Sequence, residues 1–149
     1  MLEASASNHG AERKERNVSD NPFVGKWIYR SYLNEPSMPV FGEGTLTFDD
    51  SPLGLLASKL TMPIVKPTLQ LNVRGNFQLG TPFQVRFQGV GLPGTGTAGW
   101  IYDYIGYLIP AWPDGVKQVT AIVGSVIRTV AHGPQSPAGV VASFIAIRE

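Results

Sequence analysis

Asp103 is the one acid set inside an apolar strand-like run, Trp100-Ile101-Tyr102-Asp103-Tyr104-Ile105-Gly106-Tyr107. A carboxylate in such a place must find a partner or hold its proton above the ordinary pKa. Two roles fit: a general base or ligand-polarising group, or a structural partner for Arg128 or for tyrosine hydroxyls. Glu43, between Gly42 and Gly44, is a second candidate acid, and Thr45 and Thr47 share its face. If the chain is an enzyme, Asp103 and Glu43 are the catalytic candidates. The chemistry would be isomerase- or cyclase-type acid–base work on a small hydrophobic substrate oriented by tyrosines. Ser125, His132 and Asp103 make a hydrolytic triad only on paper, because no nucleophile elbow surrounds Ser125. With no cysteine, thiolate metal sites, disulfides and a Cys nucleophile are excluded. The two histidines, His9 and His132, are too far apart in sequence to suggest a metal site. Gly94-Thr95-Gly96-Thr97-Ala98-Gly99 has the letters of a dinucleotide fingerprint, but a strand follows it, not the helix N-terminus a pyrophosphate needs. No cofactor is expected.

The elements that must position these groups are strands. From Phe23 onward the apolar period is two. The first strand is read over 23–33, the second over 40–48, the third over 53–62, the fourth over 68–79 and the fifth over 83–90. The sixth covers 100–109, the seventh 117–132 with a bend at Gly124, and the eighth 138–148. The third is the least regular, and a helical turn is its alternative. The fourth alternates most cleanly, with Leu69, Leu71, Val73, Gly75, Phe77 and Leu79 against Gln70, Asn72, Arg74, Asn76 and Gln78. Phe83, Val85 and Phe87 set the apolar face of the fifth. Glycine- and proline-rich segments separate the strands, and the Gly89–Gly99 loop is expected to be flexible enough to act as a lid. This pattern specifies an all-β, eight-stranded antiparallel up-and-down barrel.

Composition sets the surroundings. Residues 1–20 carry seven charged side chains and are expected to form a disordered or loosely attached arm; residues 21–149 form one domain and carry sixteen. Charged residues are 15% of the chain, against roughly 25% in an average soluble domain. The last three strands are apolar on both faces, so a homo-oligomer through their outer side is expected. A net charge of +1 argues against nucleic acid, and no apolar run reaches the roughly 20 residues of a membrane-spanning helix. With no secretory signal visible and no cysteine, a cytoplasmic location is expected.

The first strand contains Gly25-Lys26-Trp27, and Arg148 lies one residue from the C-terminus. Gly-x-Trp on a first strand, with a basic residue on the last, resembles the calycins, the superfamily of lipocalins, fatty-acid-binding proteins and avidin-like proteins. The short turns and apolar last strands look more like the avidin-like branch. The resemblance implies a closed barrel end, with Arg148 stacked over Trp27 beside Gly25, and an interior that binds a small, largely apolar molecule without catalysis. If Trp27 points inward, so do Tyr29 and Ser31, nearer the open end. Phe87, Trp100, Tyr102 and Tyr104 complete the candidate ligand wall. Alternation in the sixth strand leaves two facings open, one turning Trp100, Tyr102 and Tyr104 inward, the other Asp103 and Tyr107. A filled core serving an oligomeric structural module is the further alternative. Trp112, in a proline-flanked turn, would close a neighbour's pocket or staple its own turn.

Overall fold

Chains with a two-residue apolar period bury one face of each strand, and short turns place successive strands side by side. In the computed structural model, residues 21–50, 55–62, 69–111, 114 and 118–149 are described, residues 55–60 and 62 by backbone only. The expected N-terminal arm, the loop around Pro63 and Pro67, and Trp112 lie outside them. The strands are β1 (Gly25–Leu33), β2 (Val40–Asp49), β3 (Leu55–Met62), β4 (Leu69–Gln78), β5 (Gln84–Gly91), β6 (Ile101–Ile109), β7 (Ala121–Arg128) and β8 (Val141–Arg148). Each pairs antiparallel with the next, giving an all-β up-and-down sheet that curls into a barrel-like wall. β8 pairs with β1 from Trp27↔Arg148 to Leu33↔Ala142.

The 55–62 segment is the expected third strand and not its helical-turn alternative, and its ladders with β2 and β4 set its place. Other expectations change in detail. β7 is eight residues rather than sixteen, and its rungs run without a break through Gly124. No bend is needed there, because Gly124 is a site of close approach: an added Cβ would lie 1.9 Å from the Ile105 carbonyl oxygen. Phe83 precedes β5 and is 40% exposed, so it is not part of the inner face. The register of β1 on β2 shifts between Ser31 and Tyr32, where Ser31 pairs with Gly42 and Tyr32 with Val40. The unpaired Phe41 packs against the core.

The Gly89–Gly99 loop is tied down. Gly89 and Gly91 belong to β5, and Gly91 N–H donates to the Trp100 carbonyl at 2.9 Å. Fully buried Thr97 donates its hydroxyl to the Gln70 carbonyl at 2.9 Å and accepts the Leu92 N–H at 3.0 Å. Such a buried bond from the loop to β4 replaces the expected lid with a fixed rim.

One end of the interior is filled. Trp27 is fully buried, and its indole N–H donates to the Phe23 carbonyl at 2.9 Å. The Arg148 guanidinium lies 4.3 Å from the Trp27 ring centroid and donates to the carbonyls of Val24, at 3.1 Å, and Pro22. Gly25, at φ +130°, makes room: a Cβ there would stand 3.0 Å from Arg148 Nη1. Above Trp27 comes a layer of rings. Phe87 and Tyr104 stack at 4.4 Å and 10°, Phe48 meets Phe87 edge-on at 5.4 Å, and Tyr29 stacks on Phe144 at 5.6 Å.

Candidate functional site

The aromatic layer is a floor, and above it the interior is hollow. The cavity there measures about 320 Å³. Tyr29 and Ser31 enter from β1, Leu71 from β4, Tyr102 and Tyr104 from β6, and Val126 and Arg128 from β7, with Trp100 and His132 at the rim. Alternation explains this wall. Inward parity on β1 carries Trp27, Tyr29 and Ser31; on β6 it carries Tyr102, Tyr104 and Gly106. The sixth strand's facing is thereby resolved in favour of the tyrosines.

Five of the expected ligand-wall residues, Tyr29, Ser31, Trp100, Tyr102 and Tyr104, border this cavity together. Phe87 does not border it; it lies in the floor, stacked on Tyr104. Burial pushes the Tyr29 phenol up to about 12, with the hydroxyls of Ser31 and Tyr104 pulling the other way. Tyr104 is raised well above the usual phenol value, chiefly by burial and then by neighbouring Tyr29. Both therefore stay protonated and act as neutral hydroxyls.

The two acids expected to do catalysis are not brought together. Asp103 faces outward, opposite in parity to Tyr102 and Tyr104, and its Oδ1 accepts the Gln88 side-chain amide at 3.0 Å. Its other oxygen accepts the Thr129 hydroxyl. Asp103 is thus a structural acceptor on the outer wall, with partners other than Arg128 or a tyrosine. Glu43 borders the cavity rim, but its carboxylate pairs with Arg30 Nε at 2.9 Å, and Arg30 lies on the exposed face of β1. Ser125, with the same outward parity as Ile127 and Asp103, is remote from the His132 ring contacts described next, so no triad assembles.

The polar groups that do converge at the mouth are Tyr102, Arg128 and His132. Tyr102 and Arg128 are ladder partners on β6 and β7. Arg128 Nε donates to Tyr102 Oη at 3.1 Å, and Arg128 Nη1 donates to the Pro137 carbonyl at 3.1 Å. His132 Nε2 lies 2.6 Å from Tyr102 Oη, and its ring stacks on Trp100 at 4.1 Å and 19°. Burial, and then Arg128, hold the His132 imidazole below its ordinary pKa. The guanidinium carbon sits 5.1 Å from the Phe41 ring and 5.7 Å from the Tyr102 ring. Sequence reasoning passed over Arg128 and Phe41 here. Val123 and Ile127 are as apolar as Ile122 and Val126, so β7 alone gives Arg128 no facing; its pairing with the inward Tyr102 does, and the register shift that turns Phe41 inward leaves no sequence signal. Among the described residues, no group of three potential metal ligands is present. No protein-family model, curated protein or solved structure matches this chain.

Proposed function

We propose that this chain is a closed, eight-stranded barrel of calycin type that binds a small, largely apolar molecule in its interior without catalysis. The observation that carries this reading is the cavity above the aromatic floor. Its volume falls at the lower end of the roughly 300–1,000 Å³ of small-molecule sites, and its walls are mostly rings and aliphatic side chains with a few convergent polar groups. The Arg148–Trp27 stack beside Gly25 supports the calycin part of the reading. A binder of this kind gains stability from its ligand by mass action, about 2.7 kcal/mol at a hundred times Kd. Thermal unfolding with a panel of small apolar compounds tests it. At least one compound should raise Tm in wild type and none should in Val126→Trp, which fills the cavity from β7. A panel without effect on wild type sinks the proposal.

The same chain is proposed to self-associate through the outer side of β6, β7 and β8. Outward rungs there join Tyr107, Val123 and Ile145, and Ile105, Ser125 and Ser143, without a charge. Ile109, Ile127 and Val141 on this side are each more than a third exposed. The neighbouring outward rung joins Asp103, Ile127 and Val141, and the Asp103 carboxylate there is held by Gln88 and Thr129. A face this rich in exposed aliphatic side chains and this poor in charge is what subunit interfaces cover. Sedimentation velocity at micromolar concentration should show a species larger than the 16.1 kDa monomer; a monomer alone ends the idea.

A further inference from the structure

We propose that the mouth of the cavity receives a single carboxylate, the anionic end of an otherwise apolar ligand, on the guanidinium of Arg128. This deepens the interior-binding reading above and rests on it. Arg128 is only 8% exposed, yet no acid pairs with it among the described residues. The ion pairs there are Lys26–Glu149 and Arg30–Glu43. Asp103, within reach of the same ladder, turns its carboxylate outward to Gln88 and Thr129.

A buried cation costs several kcal/mol unless something compensates it. The rings of Phe41 and Tyr102 recover part of that, roughly 0.5–2 kcal/mol for a cation over an aromatic face. The Tyr102 hydroxyl and the Pro137 carbonyl accept two of the five guanidinium N–H bonds. The rest of the group borders the cavity with no acceptor among the described residues. An arginine fork with unused N–H groups is the natural seat of a carboxylate.

The surroundings narrow the ligand further. Tyr102 Oη accepts from Arg128 Nε and shares a 2.6 Å hydrogen bond with His132 Nε2, and burial followed by Arg128 disfavours the charged form of that imidazole. The mouth therefore offers one positive charge, which one carboxylate neutralises and a phosphate dianion would exceed. Behind the guanidinium the lining is chiefly Leu71, Val126 and the tyrosine rings, with the hydroxyls of Tyr29, Ser31 and Tyr104 as its polar groups, which suits a largely apolar body.

Isothermal titration calorimetry of the full chain with octanoate, 1-octanol and octylamine tests this. Octanoate should bind wild type at least about tenfold more tightly than 1-octanol, the scale of one charge-assisted hydrogen bond, and octylamine should not exceed 1-octanol. Arg128→Met should abolish the octanoate preference, bringing octanoate down to the level at which the variant binds 1-octanol. The wild-type comparison stands even if that variant does not fold. If 1-octanol binds wild type as tightly as octanoate, or the octanoate preference survives in Arg128→Met, the carboxylate assignment is overturned and interior binding remains. If none of the three binds, both are overturned.

Discussion

Replacing Gly124 by alanine should be among the most damaging single-methyl changes in this protein, and replacing its ladder partner Gly106 should cost less. The two residues face each other across β6 and β7. A Cβ on Gly124 would lie 1.9 Å from the Ile105 carbonyl oxygen and 2.7 Å from the Gly106 Cα. Carbon atoms in contact prefer about 3.5–4.0 Å, so the overlap exceeds an ångström, and the atoms in the way are backbone. The strands must part locally. That adds one or two ladder hydrogen bonds, about 0.5–1.5 kcal/mol each, to an overpacking cost of about 1–3 kcal/mol. The lower unfolded-state entropy of alanine returns only about 0.4–1 kcal/mol. The expected loss for Gly124→Ala is therefore about 2–4 kcal/mol. On Gly106 the new carbon meets Ile122 Cγ2 at 2.8 Å, Phe144 Cζ at 2.9 Å and Val85 Cγ1 at 3.4 Å, all ends of side chains. These side chains are buried and two are β-branched, so they give less easily than surface groups, but repacking them does not part the strands. Gly106→Ala should cost about 1–2 kcal/mol, less than Gly124→Ala. Urea unfolding followed by the fluorescence of buried Trp27 reads both values. Equal stabilities, or a larger loss for Gly106→Ala, would refute the backbone-contact argument.

Arg148→Gln should destabilise by about 1–2 kcal/mol, from a partly exposed cation–π contact and two hydrogen bonds, and Arg148→Lys should not restore it, because an ammonium cannot both stack on Trp27 and reach two carbonyls; differential scanning calorimetry decides. Of the five tyrosines, burial pushes Tyr29 up to about 12 and Tyr104 well above the ordinary phenol value, so phenolate absorbance below pH 11 should report no more than three. With its folded pKa above the unfolded value, Tyr29 contributes stability that is present below pH 10 and lost as pH rises toward 12. His132 has the opposite sign. Its folded pKa lies below the unfolded 6.5, so stability is full above pH 6.5 and falls as pH drops below it, and His132→Gln should flatten that part of the urea-midpoint profile.

The inner wall could be read from the sequence wherever one face of a strand was wet. Gln70, Asn72 and Arg74 in β4, and Gln84, Arg86 and Gln88 in β5, leave their alternate residues no direction but inward. Trp27 carried Tyr29 and Ser31 with it by the same rule. β6 has no wet face, so its parity depended on its neighbour, and there the register pairs Asp103 with Gln88. A carboxylate opposite a side chain already known to be wet belongs on the outside. The acid that looked most chemical in one dimension was thus excluded from the interior by a residue fifteen positions earlier. Arg128 is the converse. Its charge suggests solvent, but its ladder pairing with the inward Tyr102 turns it inward, and its partners come from β6, from the register-shifted Phe41 and from the turn at Pro137. Charge alone therefore misassigns both residues, and ladder position assigns both. The cavity's polarity follows from that exchange. With Asp103 on the outer wall and Glu43 held by Arg30, the charge left at the mouth is positive, and an apolar ligand complementary to it carries a negative end.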